Sequence, residues 1–316
     1  MTGLSLMNRL MDPATREATL AAHRANGAEA PPPPSLETTA SPGESRSSKI
    51  RLDIPIPPAP SLDRQVRDVP QLAEVWSYLN PFMLYGKHLG FKGNFEKRLA
   101  ERDEKALELF QQVEEVKQQA ALKVRAVWQF FEAERDGNSI HLFAPGGTSP
   151  MHTFRFGHQP RPDGLCLSDY VLDPAGGRRD HIAIFVVTAG EGIRERAEEA
   201  KLRGQYFLSH AIQALGLETA EACAEWLHRR IREDWGFPDS PTLTMHERFT
   251  ARYRGKRYSF GYGACPNLDD QQGIWKLLEP ERIGVRLTEG MMMDPEASVS
   301  ALVFHHPDCV YFTAAA

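Results

Sequence analysis

The stretch best suited by residue type to hold a ligand is Arg257-Tyr258-Ser259-Phe260-Gly261-Tyr262-Gly263-Ala264-Cys265-Pro266. It packs a cation, two glycines and three aromatic rings into ten positions. Such a segment is too irregular for an amphipathic helix and too glycine-rich for a central strand. Glycine lets a backbone approach a ligand closely. Arginine grips a carboxylate through two parallel hydrogen bonds. Tyrosine faces cover flat or cationic groups. A zwitterion with an aromatic or cationic part would suit this loop. On composition alone, a glycine–aromatic turn with a solvent-facing arginine fits equally well.

Other chemistry-bearing residues are scattered. Glu221 and Glu225 lie one turn apart on an expected helix, which is also the ordinary spacing of a solvated helix face. Asp169 follows an apolar segment, where a lone aspartate usually forms a turn or a cap. His305 and His306 have no ligand cluster nearby, and neighbours on a strand point to opposite faces, so no metal site is expected. Met291, Met292 and Met293 read as core or interface filler. There is no G-x-G-x-x-G after a strand, no P-loop, no G-x-S-x-G and no D-x-H-x-x-G.

Around these residues the pattern alternates helices and strands. Val69–Leu79 and Asn94–Lys123 are expected helices, the second long and charged. Ala126–Ala133 and Ser139–Phe143 read as strands joined at Asp136-Gly137-Asn138, and His152–Phe156 as another. His181–Thr188 is nearly continuous in apolar residues, which implies burial on both faces. Glu191–Leu215 and Glu218–Asp234 read as two helices broken at Gly216. Further helices are expected over Thr242–Tyr253 and Asp269–Leu278, and strands over Val285–Thr288 and Ser298–Phe304.

The chain has 316 residues, a formal net charge of −5 and 41% hydrophobic residues, enough for a sizeable core. The acidic balance argues against a general nucleic-acid binder. Four widely spaced cysteines read as reduced thiols of a cytoplasmic protein. No membrane span or secretory signal is evident. Residues 1–48 are expected to be a disordered N-terminal segment and a Pro/Ser-rich linker, with a short one-sided helix through Leu4, Leu6, Met7, Leu10 and Met11 that docks on a partner chain as the alternative; 49–316 is the expected folded domain.

The loop resembles the R-P-x-x-G-Y-x-A-C-P signature of the activation domain of cobalamin-dependent methionine synthase. The likeness continues in order after about residue 50, through Ile54-Pro55-Ile56-Pro57-Pro58 and the segment around Asp169. It implies an α+β fold: a single C-shaped domain with a twisted, mainly antiparallel sheet flanked by helices. It also implies an S-adenosylmethionine site without catalytic acid or base. There Asp169 anchors the amino group, Arg257 the carboxylate, and Ser259, Gly261, Tyr262 and Gly263 form the loop wall. Glu221 lines the site, and Tyr311 and Phe312 match a C-terminal aromatic pair that flanks the ligand. The Met291–Ser300 segment would face the corrin.

The implied activity is that of a reactivation subunit of a split methionine synthase. The methyl of S-adenosylmethionine and an electron from a flavodoxin-like donor would restore methylcobalamin from cob(II)alamin carried by a partner chain. A reactivator of another corrinoid methyltransferase, or a non-catalytic S-adenosylmethionine-binding or docking module, are the alternatives. Tyr258, Phe260 and Gly263 stand where the family often has prolines, and Asn267-Leu268-Asp269 replaces an acidic-histidine segment.

Overall fold

The computed structural model describes residues 45–314. The short-helix expectation and most of the linker lie outside them. Residues 45–48 do not behave as linker: Arg46 pairs with Asp173, and the Ser48 backbone and hydroxyl both bond Asp163.

Nine strands are present among the described residues. Six form an antiparallel series: Pro150–Arg155 (β4), Ser139–Phe143 (β3), Arg125–Asp136 (β2), Asp180–Thr188 (β5), Ser298–Phe304 (β9) and Lys256–Tyr258 (β6). Gln65–Asp68 (β1) adds to β2, and Arg286–Leu287 (β7) pairs with Met293–Asp294 (β8) as a separate ribbon. β5 is buried at all its positions, as its unbroken apolar sequence requires. Because side chains alternate across a strand, β5 supplies two cores. Ala183, Phe185 and Val187 enter one, and Ile182, Ile184 and Val186 the other. The first core is covered by the long helix Tyr206–Asp234, the second by Gln271–Leu278.

The helices are α1 (Leu72–Trp76), α2 (Phe95–Ala100), α3 (Glu104–Gln119), α4 (Ile193–Leu202), α5 (Tyr206–Asp234), α6 (Met245–Phe249) and α7 (Gln271–Leu278). The expected Asn94–Lys123 helix is two helices. Arg102 takes a positive φ of 59°, and Asp103 restarts the chain by accepting from the Ala106 amide at 3.1 Å. The expected first helix is shorter and is followed by a π-helical segment, Phe82–His88. Thr242–Tyr253 contracts to α6, set by a Thr244–Glu247 capping box.

The expected break at Gly216 is absent, and α5 runs through it. A side chain there would meet Ile193 of α4 at 3.2 Å. This glycine lets two helices approach rather than ending one. The break falls instead at Gly204, whose φ is +76°. Among the described residues no helix is long and apolar enough to cross a membrane. The four cysteines are free and buried.

Candidate functional site

Strand β6 carries Arg257 along the sheet edge, paired in register with Val303 of β9. After Tyr258 the chain leaves the sheet and closes on itself. Gly261 N donates to Cys265 O at 2.9 Å and Cys265 N to Tyr262 O at 2.8 Å. Gly261 and Gly263 have φ of +84° and +26°. A Cβ on Gly263 would sit 2.6 Å from the Phe312 carbonyl oxygen, so only glycine lets the C-terminal tail lie against the loop. Ala314 N then donates to Gly263 O at 3.0 Å and joins tail to loop. These bonds close the loop where the resembled signature has prolines.

Loop and tail wall a cavity of about 720 Å³. Of the residues singled out in the sequence, Glu221, Arg257, Ser259, Gly261, Tyr262, Tyr311 and Phe312 all line it. Tyr262 and Tyr311 stand at its mouth, 74% and 56% exposed. Phe312 packs inward beside Tyr170 and Tyr258, with ring centroids 6.4 Å from each. Ser259 Oγ is already used by the Ser300 carbonyl at 2.7 Å, so Ser259 offers the cavity its backbone. A second cavity of about 560 Å³ shares the Glu221, Arg257, Tyr262 and Tyr311 walls and extends the cleft past Glu225 toward His88.

Arg257 enters this cleft from a buried ionic cluster. Its Nη1 is 2.5 Å from Glu225 Oε2, which also accepts from the Tyr253 hydroxyl at 3.1 Å. Burial opposes the charge on Arg257, but Glu225 outweighs it and pushes the pKa up, so the guanidinium stays cationic. Nε and Nη2 make no hydrogen bond to a described residue and remain available for an anion. His228, fully buried and 3.5 Å from Arg257 Nη1, is held neutral by burial and by the cations of Arg232 and Arg257. Glu221, one turn before Glu225 on α5, is exposed and has no ion-pair partner among the described residues. The cleft therefore presents the Arg257 cation and, one helical turn along α5 from its partner Glu225, the Glu221 carboxylate, with aromatic walls.

Asp169 is not part of this cleft. It sits at 0% exposure in the turn Leu167–Tyr170, where Oδ2 accepts from the Cys166 amide at 2.9 Å and Oδ1 lies 3.7 Å from Arg135. Burial raises its pKa. It caps this turn and lines neither cavity, while its Oδ1 accepts no hydrogen bond among the described residues. The segment still serves the cleft through Tyr170, whose hydroxyl accepts from the Val310 amide at 3.2 Å and holds the tail.

Glu225, Gln271, Ser300 and the methionines complete the walls; Gln271 went unassigned in the sequence, Glu225 was read only as the helical neighbour of Glu221, and the methionines and Ser300 fall in the segment expected to face the corrin. Gln271, almost sealed, takes a bond from Ser300 Oγ at 2.9 Å and donates to Met291 O at 2.8 Å. It thereby ties the Met291–Met293 bend to β9. His305 and His306 are structural and face opposite ways, bonding Asp180 at 2.8 Å and the Arg51 carbonyl at 2.9 Å.

Fold and cleft together define an α+β domain with a charged, aromatic-walled cavity at the edge of an antiparallel sheet. The chain belongs to the vitamin B12 dependent methionine synthase activation domain family, whose model matches residues 71–316. It is 36% identical over 198 residues to methionine synthase of Mycobacterium tuberculosis (strain ATCC 25618 / H37Rv), a match spanning 59% of this chain and 17% of that one. The methionine synthase of Mycobacterium leprae (strain TN) is 34% identical, over 59% of this chain and 16% of the relative. The chain thus spans less than a fifth of the curated relatives it matches. Among solved structures, the MetH reactivation domain bound to AdoHcy shares the fold at a TM-score of 0.75 and 27% identity, covering 82% of this chain and 83% of that one.

Proposed function

We propose that the cleft binds S-adenosylmethionine and that the chain presents its methyl group to cobalamin carried by a separate methionine synthase chain. The carrying observation is Arg257, with Nε and Nη2 open to a cleft also lined by Glu221, which has no ion-pair partner among the described residues and lies one turn from the counterion Glu225. Arg257 takes the ligand carboxylate and Glu221 its ammonium. Tyr262, Tyr311 and Phe312 flank the adenosyl and sulfonium parts. The bound AdoHcy of the structural relative, the demethylated form of this ligand, supports the same reading.

The cleft suits such a step because it needs no general base. Cobalamin held by the partner chain, given one electron by a flavodoxin-like donor, would supply the nucleophile, and S-adenosylhomocysteine would leave as the methyl transfers. What this chain contributes is position: a ligand held by its amino-acid end and walled by aromatic rings at its adenosyl end aims its methyl in one direction. The Met291–Met293 bend at the cavity wall gives an apolar surface for the corrin side. D-x-H-x-x-G is absent from these 316 residues, consistent with a corrinoid held elsewhere.

Reconstitution with the corrinoid methionine synthase chain tests this. Methylcobalamin should reappear from cob(II)alamin only when this chain, a reductant and S-adenosylmethionine are all present. Recovery without this chain, or none with it, sinks the proposal. A second measurement decides whether Asp169, which lines neither cavity, contributes to binding. Asp169→Asn should leave S-adenosylmethionine affinity within about threefold of wild type in calorimetry, while lowering unfolding free energy by about 1–3 kcal/mol through the weakened cap and Arg135 contact.

A further inference from the structure

The Met291–Met293 bend walls the ligand cavity, yet its own side chains do little to fix it. Methionines are long and adaptable, which suits a contact surface but does not set a backbone. Met291 nevertheless takes a positive φ of 59°, which a non-glycine residue keeps only when its surroundings hold it there. Thr288 supplies part of that hold. Its carbonyl accepts from Met291 N at 3.0 Å, its hydroxyl accepts from Met292 N at 3.1 Å, and its amide donates to Met292 O at 2.8 Å. All three bonds lie within the turn joining β7 to β8, a ribbon separate from the main sheet.

The tie to the main sheet comes from Gln271, the first residue of α7. Gln271 is 2% exposed, and both ends of its amide are used. Nε2 donates to Met291 O at 2.8 Å, and Oε1 accepts from Ser300 Oγ at 2.9 Å. Ser300 O in turn accepts from Ser259 Oγ at 2.7 Å, in the loop that follows Arg257. One hydrogen-bonded series therefore runs from the loop wall through β9 and Gln271 to the methionine bend. Ser259, Ser300, Gln271 and Met291 all line the same cavity. We infer that Gln271 is a positioning residue for methyl transfer: through Ser300 and Met291 it sets the methionine bend, on the corrin side, against the ligand loop. This rests on the proposed S-adenosylmethionine reading and deepens it. Group transfer is steep in geometry, and a displacement of about 1 Å in a positioning element can cost about 100-fold in rate. Ligand binding depends less on the bend, because Arg257 is held by β6 and the aromatic walls by the bonds between loop and tail.

The test compares the full wild-type chain with Gln271→Leu and Ser300→Ala. The first removes both bonds and keeps a residue suited to a helix; the second removes only the sheet end and leaves Gln271 on Met291. Calorimetry gives the Kd for S-adenosylmethionine. Single-turnover transfer to the reduced corrinoid chain, at saturating S-adenosylmethionine, gives the rate constant. Isotope-labelled methionine methyl groups, assigned by substitution, report the bend by NMR without the partner. Both variants should bind within about threefold of wild type. The rate constant should fall about 10- to 100-fold in Gln271→Leu and about 3- to 10-fold in Ser300→Ala. The Met291 and Met292 methyl signals should shift or broaden in Gln271→Leu. A merely structural role would lower the melting midpoint and the number of binding sites, with the rate constant per bound ligand and the methyl signals unchanged, and that result overturns the inference. So does a loss of affinity as large as the loss of rate. If Gln271→Leu does not fold, a wild-type rate in Ser300→Ala overturns it. A wild-type chain that binds no S-adenosylmethionine overturns the functional reading and this inference together, whereas wild-type binding and transfer with an unaffected Gln271→Leu overturn this one alone.

Discussion

Arg257→Ala is expected to weaken S-adenosylmethionine binding by about 2–4 kcal/mol, roughly 30- to 1,000-fold in Kd, with the sheet intact. The argument is positional. The side chain springs from β6, whose pairing with β9 uses backbone atoms and survives truncation. What disappears is the only cation in the first cavity's lining, the group facing the ligand carboxylate. Glu225 then keeps the Tyr253 hydroxyl at 3.1 Å and Arg232, 3.9 Å from its other oxygen, so it retains partial compensation. Arg257→Lys separates charge from shape. A lysine still answers Glu225, but it lacks the planar fork that bonds one carboxylate with Nη1 and another with Nε and Nη2. It should recover most of the stability lost in the alanine variant and little of the affinity. Calorimetry and urea unfolding on both variants give the two numbers. Wild-type affinity in Arg257→Ala removes Arg257 from the site.

The parts of this molecule legible in the sequence are those decided locally. β5 declares itself by an unbroken apolar run, and the loop at 257–266 by chemistry concentrated in ten residues. Arg257, Tyr262, Tyr311 and Phe312 were found because the loop and the tail each carry a recognisable pattern. Glu225 was visible as the partner of Glu221 in an i, i+4 pair, but nothing in sequence says which of two such glutamates turns to a cation. Packing against β6 decides that. Asp169 shows a related limit: a buried cap and a ligand anchor are the same residue type after the same apolar run, and its burial is decided by packing that the run does not specify. Gly216 reads as a breaker because its second use, helix–helix approach, depends on Ile193 some twenty positions earlier. The break at Arg102 hides because a non-glycine residue adopts the positive φ.

The largest effect on stability is expected behind the site, at Asp239. Arg232 is fully buried and binds it with both arms, Nε to Oδ1 at 2.8 Å and Nη2 to Oδ2 at 2.7 Å, and Arg248 joins Oδ2. The Arg232 guanidinium also lies 3.7 Å from the Tyr253 ring centroid, and Tyr253 in turn bonds Glu225. Asp239→Asn removes the anion and leaves a buried guanidinium with Glu225 at 3.9 Å as its remaining carboxylate. Breaking a buried pair this way costs about 3–5 kcal/mol. Ligand affinity should fall much less than Arg257→Ala makes it fall, because the cluster reaches the cleft through Tyr253, Glu225 and Arg248 and leaves Arg257 in place. The pH dependence has a definite sign. Burial alone would raise the Asp239 pKa, but Arg232 and Arg248 outweigh it and hold the carboxyl below its ordinary value. Its stabilisation is therefore complete above the unfolded aspartate pKa of about 3.9 and fades as pH falls through the lower folded value. The difference in unfolding free energy between wild type and Asp239→Asn should be flat from about pH 5 to 8 and shrink below about pH 4. Urea titrations across that range measure it. A gap that is small at pH 7, or that widens in acid, means the Arg232–Asp239 pair does not hold this side of the cleft together.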